Sequence, residues 1–401
     1  MSRLELWKMD KETLSVIGAI ALNDIFGQEP GIAVRIVAEL GSTYALFGLP
    51  PSEIARIFGP GSRYSGKIGP RSLDEAARSY ERLRGSGCSF VCITDSAYPK
   101  RLAECPDAPV ILYMRSGSPA GEIFNRRPSV AIVGTRDMSL YGRDWCRRIV
   151  AALSTAGKPP LIVSGLAIGV DITAQQAALE CSLPTVGVSP VGIDDVYPRR
   201  HAAFVGRMVS TPGCALVTDY PPGTLPMPQV FLRRNRIIAG MADAVILIES
   251  KPKGGGMMTA RLASGYGRGV FVLPGRIDDI RSAGCNQLLA EKIAEPIVST
   301  AMLLSSVGLG SIVSPRTGPE ARLRQHFSGK LPDAGLDGLC RLFGLIRERR
   351  GVSYDELCEL GGLPYPEVAR LAGLLESAGF ITSDMFQRCT ANAGFIGNLS
   401  D

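Results

Sequence analysis

Four polar, glycine-rich turns, set at the ends of apolar runs, constrain this chain more than any other feature. Val130-Ala131-Ile132-Val133 runs into Gly134-Thr135-Arg136, and Leu161-Ile162-Val163 runs into Ser164-Gly165-Leu166-Ala167-Ile168-Gly169-Val170-Asp171. Later come Arg234-Asn235-Arg236 and then Gly254-Gly255-Gly256-Met257-Met258-Thr259-Ala260-Arg261. Small residues let backbone N–H groups approach a ligand, and a helix that follows such a turn presents its positive end to an anion. Apolar runs of four to seven residues separated by amphipathic helices indicate a parallel sheet covered on both faces. The pattern predicts a phosphate-lined crevice in a doubly wound α/β fold with a mostly parallel sheet.

Strands are expected near 129–134, 160–165, 184–189, 214–219, 243–249 and 269–274. Helices are expected near 139–156, 171–181, 199–211, 233–241, 257–267 and 284–292. Upstream, Leu14, Ile17, Ile20 and Ala21 share one helix face, Ile32 to Val37 mark a second helix, and Ser52 is placed as the N-cap of a third. A polar helix over about 72–85 leads to a short strand at Phe90–Ile93. The domain reading is a helical unit with a connector over 1–110, similar to sterile-alpha-motif or helix-hairpin-helix domains. The α/β domain follows over 111–304, then a Ser/Gly/Pro-rich linker over 305–337. Three helical patterns and two small strands over 338–401 suggest a winged-helix-like domain.

At 401 residues and 45% hydrophobic, the chain is long enough for two or three domains with real cores. The formal charge of +6 is unevenly spread. Residues 126–300 carry 20 basic against 13 acidic groups, residues 1–125 carry 14 of each, and residues 338–401 carry 6 against 8. The positive excess therefore lies in the α/β segment and points to a polyanionic partner. The balanced charge of the N-terminal unit favours packing against a neighbour over DNA contact. Ten scattered cysteines without a Cys-x-x-Cys, and only two histidines, argue against a zinc site and for small core hydrophobes in a reducing compartment. No apolar run approaches 18 residues and the N-terminus lacks an apolar signal core, so a cytoplasmic protein without a membrane partner is expected.

The phosphate-binding candidates are Gly134, Thr135, Arg136, Ser164, Gly165, Gly169, Arg234, Asn235, Arg236, Gly255, Gly256, Thr259 and Arg261. Arg136 would reach a phosphate bidentately, and Ser164 would donate its hydroxyl and backbone N–H. Arg233, Arg234 and Arg236 are too many to be buried in one amphipathic helix, so they are assigned to the crevice rim. Phe231 and Tyr197 are placed for base stacking. Arg261 is directed to the crevice, with pairing to Glu249 as the alternative. Asp171 is expected to cap the next helix, a general base or a ribose contact being the alternatives. His201 is expected at the surface. No residue is assigned a catalytic role, and no metal or cofactor is expected.

These motifs, together with Tyr197-Pro198, Ile237-Ile238-Ala239-Gly240, Pro274-Gly275 and Gly284-Cys285-Asn286, occur in an order and spacing similar to the bacterial DNA-processing protein A (DprA/Smf) family. The resemblance extends upstream through Asp95, Tyr98-Pro99, Leu102 and Ala108-Pro109 and covers about residues 10–390. It implies an extended Rossmann-like fold, single-stranded DNA binding, protection of incoming DNA in natural transformation, loading of the RecA recombinase and a homodimer without catalytic activity. Three positions depart from the family pattern: Gln175 where a histidine is common, Gly254-Gly255-Gly256 in place of a Ser-Gly-Ser turn, and Ser189-Pro190 where a glycine is usual. Two rivals remain at this level. A phosphoribohydrolase-like enzyme of related fold would need a glutamate where Thr259-Ala260-Arg261-Leu262 stands. A nucleotide-sensing transcription regulator would need more positive charge on the helix over 364–378 than Arg370 supplies.

Overall fold

The computed structural model describes residues 9–125, 127–309, 319–349 and 351–392. Among the described residues four α-helices come first: α1 (Lys11–Phe26), α2 (Pro30–Leu40), α3 (Pro51–Phe58) and α4 (Pro70–Gly85). Asp10 caps α1 by accepting from the Thr13 N–H at 2.8 Å. At α3 the expected cap Ser52 lies inside the helix. Pro50 holds the cap position and Pro51 the first turn, where a proline ring fits without loss of a hydrogen bond.

A nine-stranded sheet follows, ordered β1-β2-β6-β5-β4-β3-β7-β8-β9. Its strands are β1 (Ser89–Cys92), β2 (Ile111–Arg115), β3 (Ser129–Val133), β4 (Leu161–Ser164), β5 (Thr185–Val188), β6 (Ala215–Thr218), β7 (Ala244–Leu247), β8 (Gly269–Val272) and β9 (Glu295–Pro296). β3 to β9 pair in parallel, whereas β2 joins β6 and β1 joins β2 antiparallel. The sheet therefore starts at Ser89, upstream of the expected domain boundary at 111, because β1 and β2 extend one edge.

The intervening helices are α5 (Lys100–Ala103), α6 (Ala120–Ile123), α7 (Leu140–Ser154), α8 (Val170–Glu180), α9 (Ala202–Ser210), α10 (Pro228–Met241), α11 (Gly255–Gly265), α12 (Ala283–Ala290) and α13 (Thr300–Ser306). Alternation along each strand divides the core. Val130, Ile132 and Ile246 face Ile149 and Val150 of α7 and Ala174 of α8. Ala131, Val133 and Leu247 face Ile237 of α10 and Ala260 of α11. Burial of both sheet faces explains why these strands read as continuous apolar runs. The N-terminal helices share one core with Ile111, Tyr113 and Leu216 of the antiparallel edge and with Phe204 and Met208 of α9.

β3 is the first parallel strand, and the chain works outward from it through β4, β5 and β6 before returning to place β7 on its other side. The carboxyl ends of β3 and β7 thus flank a topological switch point, the place where a doubly wound sheet opens a crevice.

The C-terminal unit begins earlier than expected. α14 (Pro319–Phe327) lies within the segment read as a linker, and its Leu323 and Phe327 are buried against Leu339, Phe343 and Phe380. Residues 310–318 of that segment fall outside the described residues. α15 (Asp333–Glu348), α16 (Tyr354–Gly361) and α17 (Tyr365–Ser377) follow, with a three-stranded antiparallel sheet of β10 (Val352–Ser353), β12 (Arg388–Ala391) and β11 (Ile381–Ser383) in that order. Ser353 and Glu356 form a capping box at the start of α16. Among the described residues, no helix is long and apolar enough to cross a membrane.

Candidate functional site

A crevice of about 600 Å³ opens at the switch point. The turn after β3 supplies Gly134, Thr135 and Arg136, the loop after β7 supplies Ser250 and Lys251, and α11 supplies Gly255, Gly256 and Thr259. Tyr197 and the α10 residues Phe231, Arg234 and Asn235 complete the wall.

The helices that follow β3, β4 and β7 differ in how their first turns are satisfied. At α7, Ser139 accepts from the Gly142 N–H at 3.0 Å, and the buried Glu249 carboxylate accepts in turn from the Ser139 N–H at 2.9 Å. At α8, the Val170 N–H donates to the Thr135 carbonyl at 3.2 Å and the Ile172 N–H to that of Ala167 at 3.1 Å. At α11, Gly254 holds the cap position without a side chain to offer. The Gly255 peptide is fixed from behind, its carbonyl accepting from Asn235 Nδ2 at 3.4 Å and Thr259 Oγ1 at 3.3 Å. The start of α11 thus has no side-chain cap, and its first residues, Gly255 and Gly256, line the crevice.

The glycines at the crevice serve close packing of turn on turn. A Cβ on Gly134 would stand 2.6 Å from Val170 Cγ2, and one on Gly256 2.6 Å from Leu247 Cδ1. Gly169 has φ +87°, and a side chain there would collide with the Thr135 carbonyl. The β3, β4 and α11 turns are locked together before any ligand arrives.

Exposed positive charge comes from Arg136 and Lys251, neither with a carboxylate partner among the described residues. The Arg136 guanidinium lies over the Phe231 ring, 5.2 Å from its centroid, and Tyr197 meets the same ring edge-on at 5.2 Å. Sequence reasoning missed Lys251. Its signal was present, a Lys-Pro-Lys segment directly before the three glycines.

The arginine cluster is not a rim. Helix α10 starts at Pro228, five residues before the expected start at 233, so Arg233 to Arg236 lie mid-helix. Successive side chains diverge by about 100° and leave in different directions. Arg233 donates to the Gly27 carbonyl and Gln28 Oε1 in the N-terminal unit. Arg234 is 4% exposed and donates to the carbonyls of Gly165, at 2.6 Å, and Val188. Arg236 is buried against Asp219 and also donates to the Asp107 carbonyl. Burial of two of the three is tolerated because each finds a carboxylate or carbonyl partner distant in sequence.

Other expected contacts are also redirected. The Ser164 hydroxyl is fully buried and donates to the Ile132 carbonyl at 2.6 Å, so it does not face the crevice. Arg261 pairs with Glu291 at 2.7 Å, neither in the crevice nor on Glu249. Asp171 lies in the first turn of α8 but does not cap it. Its carboxylate accepts from the Gly165 N–H at 3.1 Å, bracing the preceding turn. Gly165 is held between this carboxylate and the Arg234 guanidinium, each 2.6 Å from where its Cβ would be. Burial pushes the Asp171 carboxyl up to about 6, against the pull of Arg234, and lowers Arg234 to about 10, against the pull of Asp171. Both groups are charged at neutral pH. His201 is half-buried, its Nδ1 bonded to the Leu166 carbonyl at 2.9 Å, which ties the Tyr197–Arg200 segment to the β4 turn. Gln175 is buried beside Met208, away from the crevice, so this departure from the family pattern does not alter the lining.

The model of the family described as DNA recombination-mediator protein A matches residues 89–308. Among curated proteins, Protein Smf of Synechocystis sp. is 32% identical over 290 residues, which is 72% of each chain. DNA processing protein DprA of Streptococcus pneumoniae is 36% identical over 202 residues, 50% of this chain and 67% of that one. The X-ray structure of DNA processing protein A from Streptococcus pneumoniae aligns with a TM-score of 0.60 at 29% identity, covering 71% of this chain and 95% of the other.

Proposed function

The chain belongs to the DNA recombination-mediator protein A family, and we propose that it binds single-stranded DNA through the crevice at its switch point. One observation carries the reading: the uncapped start of α11 shares a cavity with two exposed, unpaired cations and an aromatic wall. A phosphate would sit against the Gly255 and Gly256 N–H groups beside Lys251. A second phosphate would meet Arg136, and a base would stack at Phe231 and Tyr197. Binding is favoured over chemistry because Asp171, the carboxylate lining the crevice among the described residues, is already held by Gly165 and coupled to Arg234. In the wider proposal the protein protects this strand and passes it to the RecA recombinase as a homodimer. The winged-helix-like C-terminal unit serves protein contact.

The test is fluorescence anisotropy of a labelled oligonucleotide across a salt series. With two or three phosphates neutralised, the logarithm of the affinity should fall against the logarithm of salt with a slope of about −1.5 to −2. An Arg136→Ala/Lys251→Ala variant should lose most of that slope. A flat salt response refutes the electrostatic site.

A further inference from the structure

The crevice does not end at α11. Leu232, Gly254 and Gly255 line it on one side and line a second hollow of about 490 Å³ on the other. This hollow lies between α10 and α11, with Met257 and Leu262 in its walls. Two of its apolar side chains stand open, Leu232 at 44% and Met258 at 37% exposed. Lys253 stands at its rim without a carboxylate partner among the described residues, and Arg261 stands there paired with Glu291. The short loop between β7 and α11 thus assigns one lysine to each cavity, Lys251 to the crevice and Lys253 to the hollow.

Resting on the crevice reading above, we propose that the hollow is a second nucleotide subsite, occupied by the next residues of the same strand. Three observations converge on that occupant. The two cavities share Leu232, Gly254 and Gly255 in their linings, and the two glycines put no side chain in the way of a backbone passing from one to the other. The rim is positive, as a phosphodiester requires. Leu232, Met257, Met258 and Leu262 give the hollow an apolar surface, which accepts the flat face of any base. Scattered exposed apolar residues are ordinary on a protein surface; here they adjoin the crevice proposed above to hold phosphate. The structure so extended would hold the strand with a base against Leu232 and Met258 and a phosphate at Lys253. Arg261 returns to the site as an outer contact, reached only by a strand that has left the crevice.

The test uses the full chain and labelled oligothymidylates of increasing length at fixed salt, with Lys253→Ala/Met258→Ala and Arg136→Ala variants. Thermal melts matching wild type confirm that both variants are folded, as expected for exposed side chains. Wild-type affinity should rise with length until both cavities are filled. The Lys253→Ala/Met258→Ala variant should match wild type on the shortest oligonucleotides and bind the longer ones about five- to tenfold more weakly. Its salt slope should be shallower by about 0.7, the share of one single-strand phosphate. If this variant equals wild type at every length while Arg136→Ala is weakened, the second subsite is overturned and the crevice stands. If Arg136→Ala also equals wild type, the crevice reading fails and the subsite fails with it.

Discussion

Replacing Arg234 with alanine should damage the fold and not merely a DNA contact, and the damage should depend on pH. The guanidinium is 4% exposed, donates to two carbonyls on the β4 and β5 turns, and opposes the buried Asp171 carboxylate across Gly165. Removing one partner of a buried charge pair costs about 3–5 kcal/mol. For a cooperative unit of this size that is a fall in Tm of roughly 6–20 °C. The pH dependence follows from Asp171. Its carboxyl is raised from 3.8 to about 6, chiefly by burial. The folded state therefore binds a proton more tightly than the unfolded state. The group's contribution to stability is fully present below pH 3.8 and is lost as pH rises through 6, about 3 kcal/mol in all. Without Arg234 the carboxyl moves higher still and the loss continues past pH 6. The deficit of Arg234→Ala should accordingly be smaller at pH 5, where Asp171 is largely protonated in both proteins, than at pH 8. Urea unfolding of both proteins at the two pH values measures it, and adding Asp171→Asn should recover part of the loss at pH 8. A deficit below about 1 kcal/mol, or one that is equal at pH 5 and pH 8, refutes the coupling of these two side chains.

Gly169→Ala should destabilise the central unit by about 1–3 kcal/mol, because φ is +87° and the new Cβ meets the Thr135 carbonyl; a thermal melt unchanged from wild type would contradict the turn-on-turn packing. A fragment starting at 319 should fold as an independent C-terminal unit, whereas one starting at 333, where α15 begins, loses Leu323 and Phe327 from the core. Equal chemical-shift dispersion from the two fragments would show that α14 is dispensable.

The alternation of apolar runs and helices was legible because parallel strands buried on both faces must be apolar throughout, and the six central strands fall where that rule places them. β9 was not, since a two-residue bridge leaves no periodic mark, and β2 was passed over although Ile111 to Met114 form a buried apolar run. Gly134, Gly255, Gly256, Arg136, Phe231 and Tyr197 line the crevice, whereas Gly165 and Gly169 do not. Of the α10 arginines, Arg234 lines it with a guanidinium already spent on carbonyls, while Arg233 and Arg236 do not line it, and the reason is general. A sequence shows a cation but not the partner that makes its burial affordable. Asp171 lies 63 positions from Arg234, the difference of their residue numbers, and Asp219 reaches Arg236 only through the fold. Moving the start of α10 back to Pro228 also turns a cluster in sequence into residues pointing to different sides of a helix. Ser164 misled for a related reason: the last residue of a strand can spend its hydroxyl on a neighbouring carbonyl, as it does on Ile132.

The central claim is that a phosphate occupies the start of α11 beneath an aromatic wall. A crystal structure of the protein with a short single-stranded oligonucleotide tests it most directly. The account predicts a phosphate within hydrogen-bonding distance of the Gly255 and Gly256 N–H groups and Lys251, with a base against Phe231. A strand bound elsewhere, with that helix end empty, would contradict it.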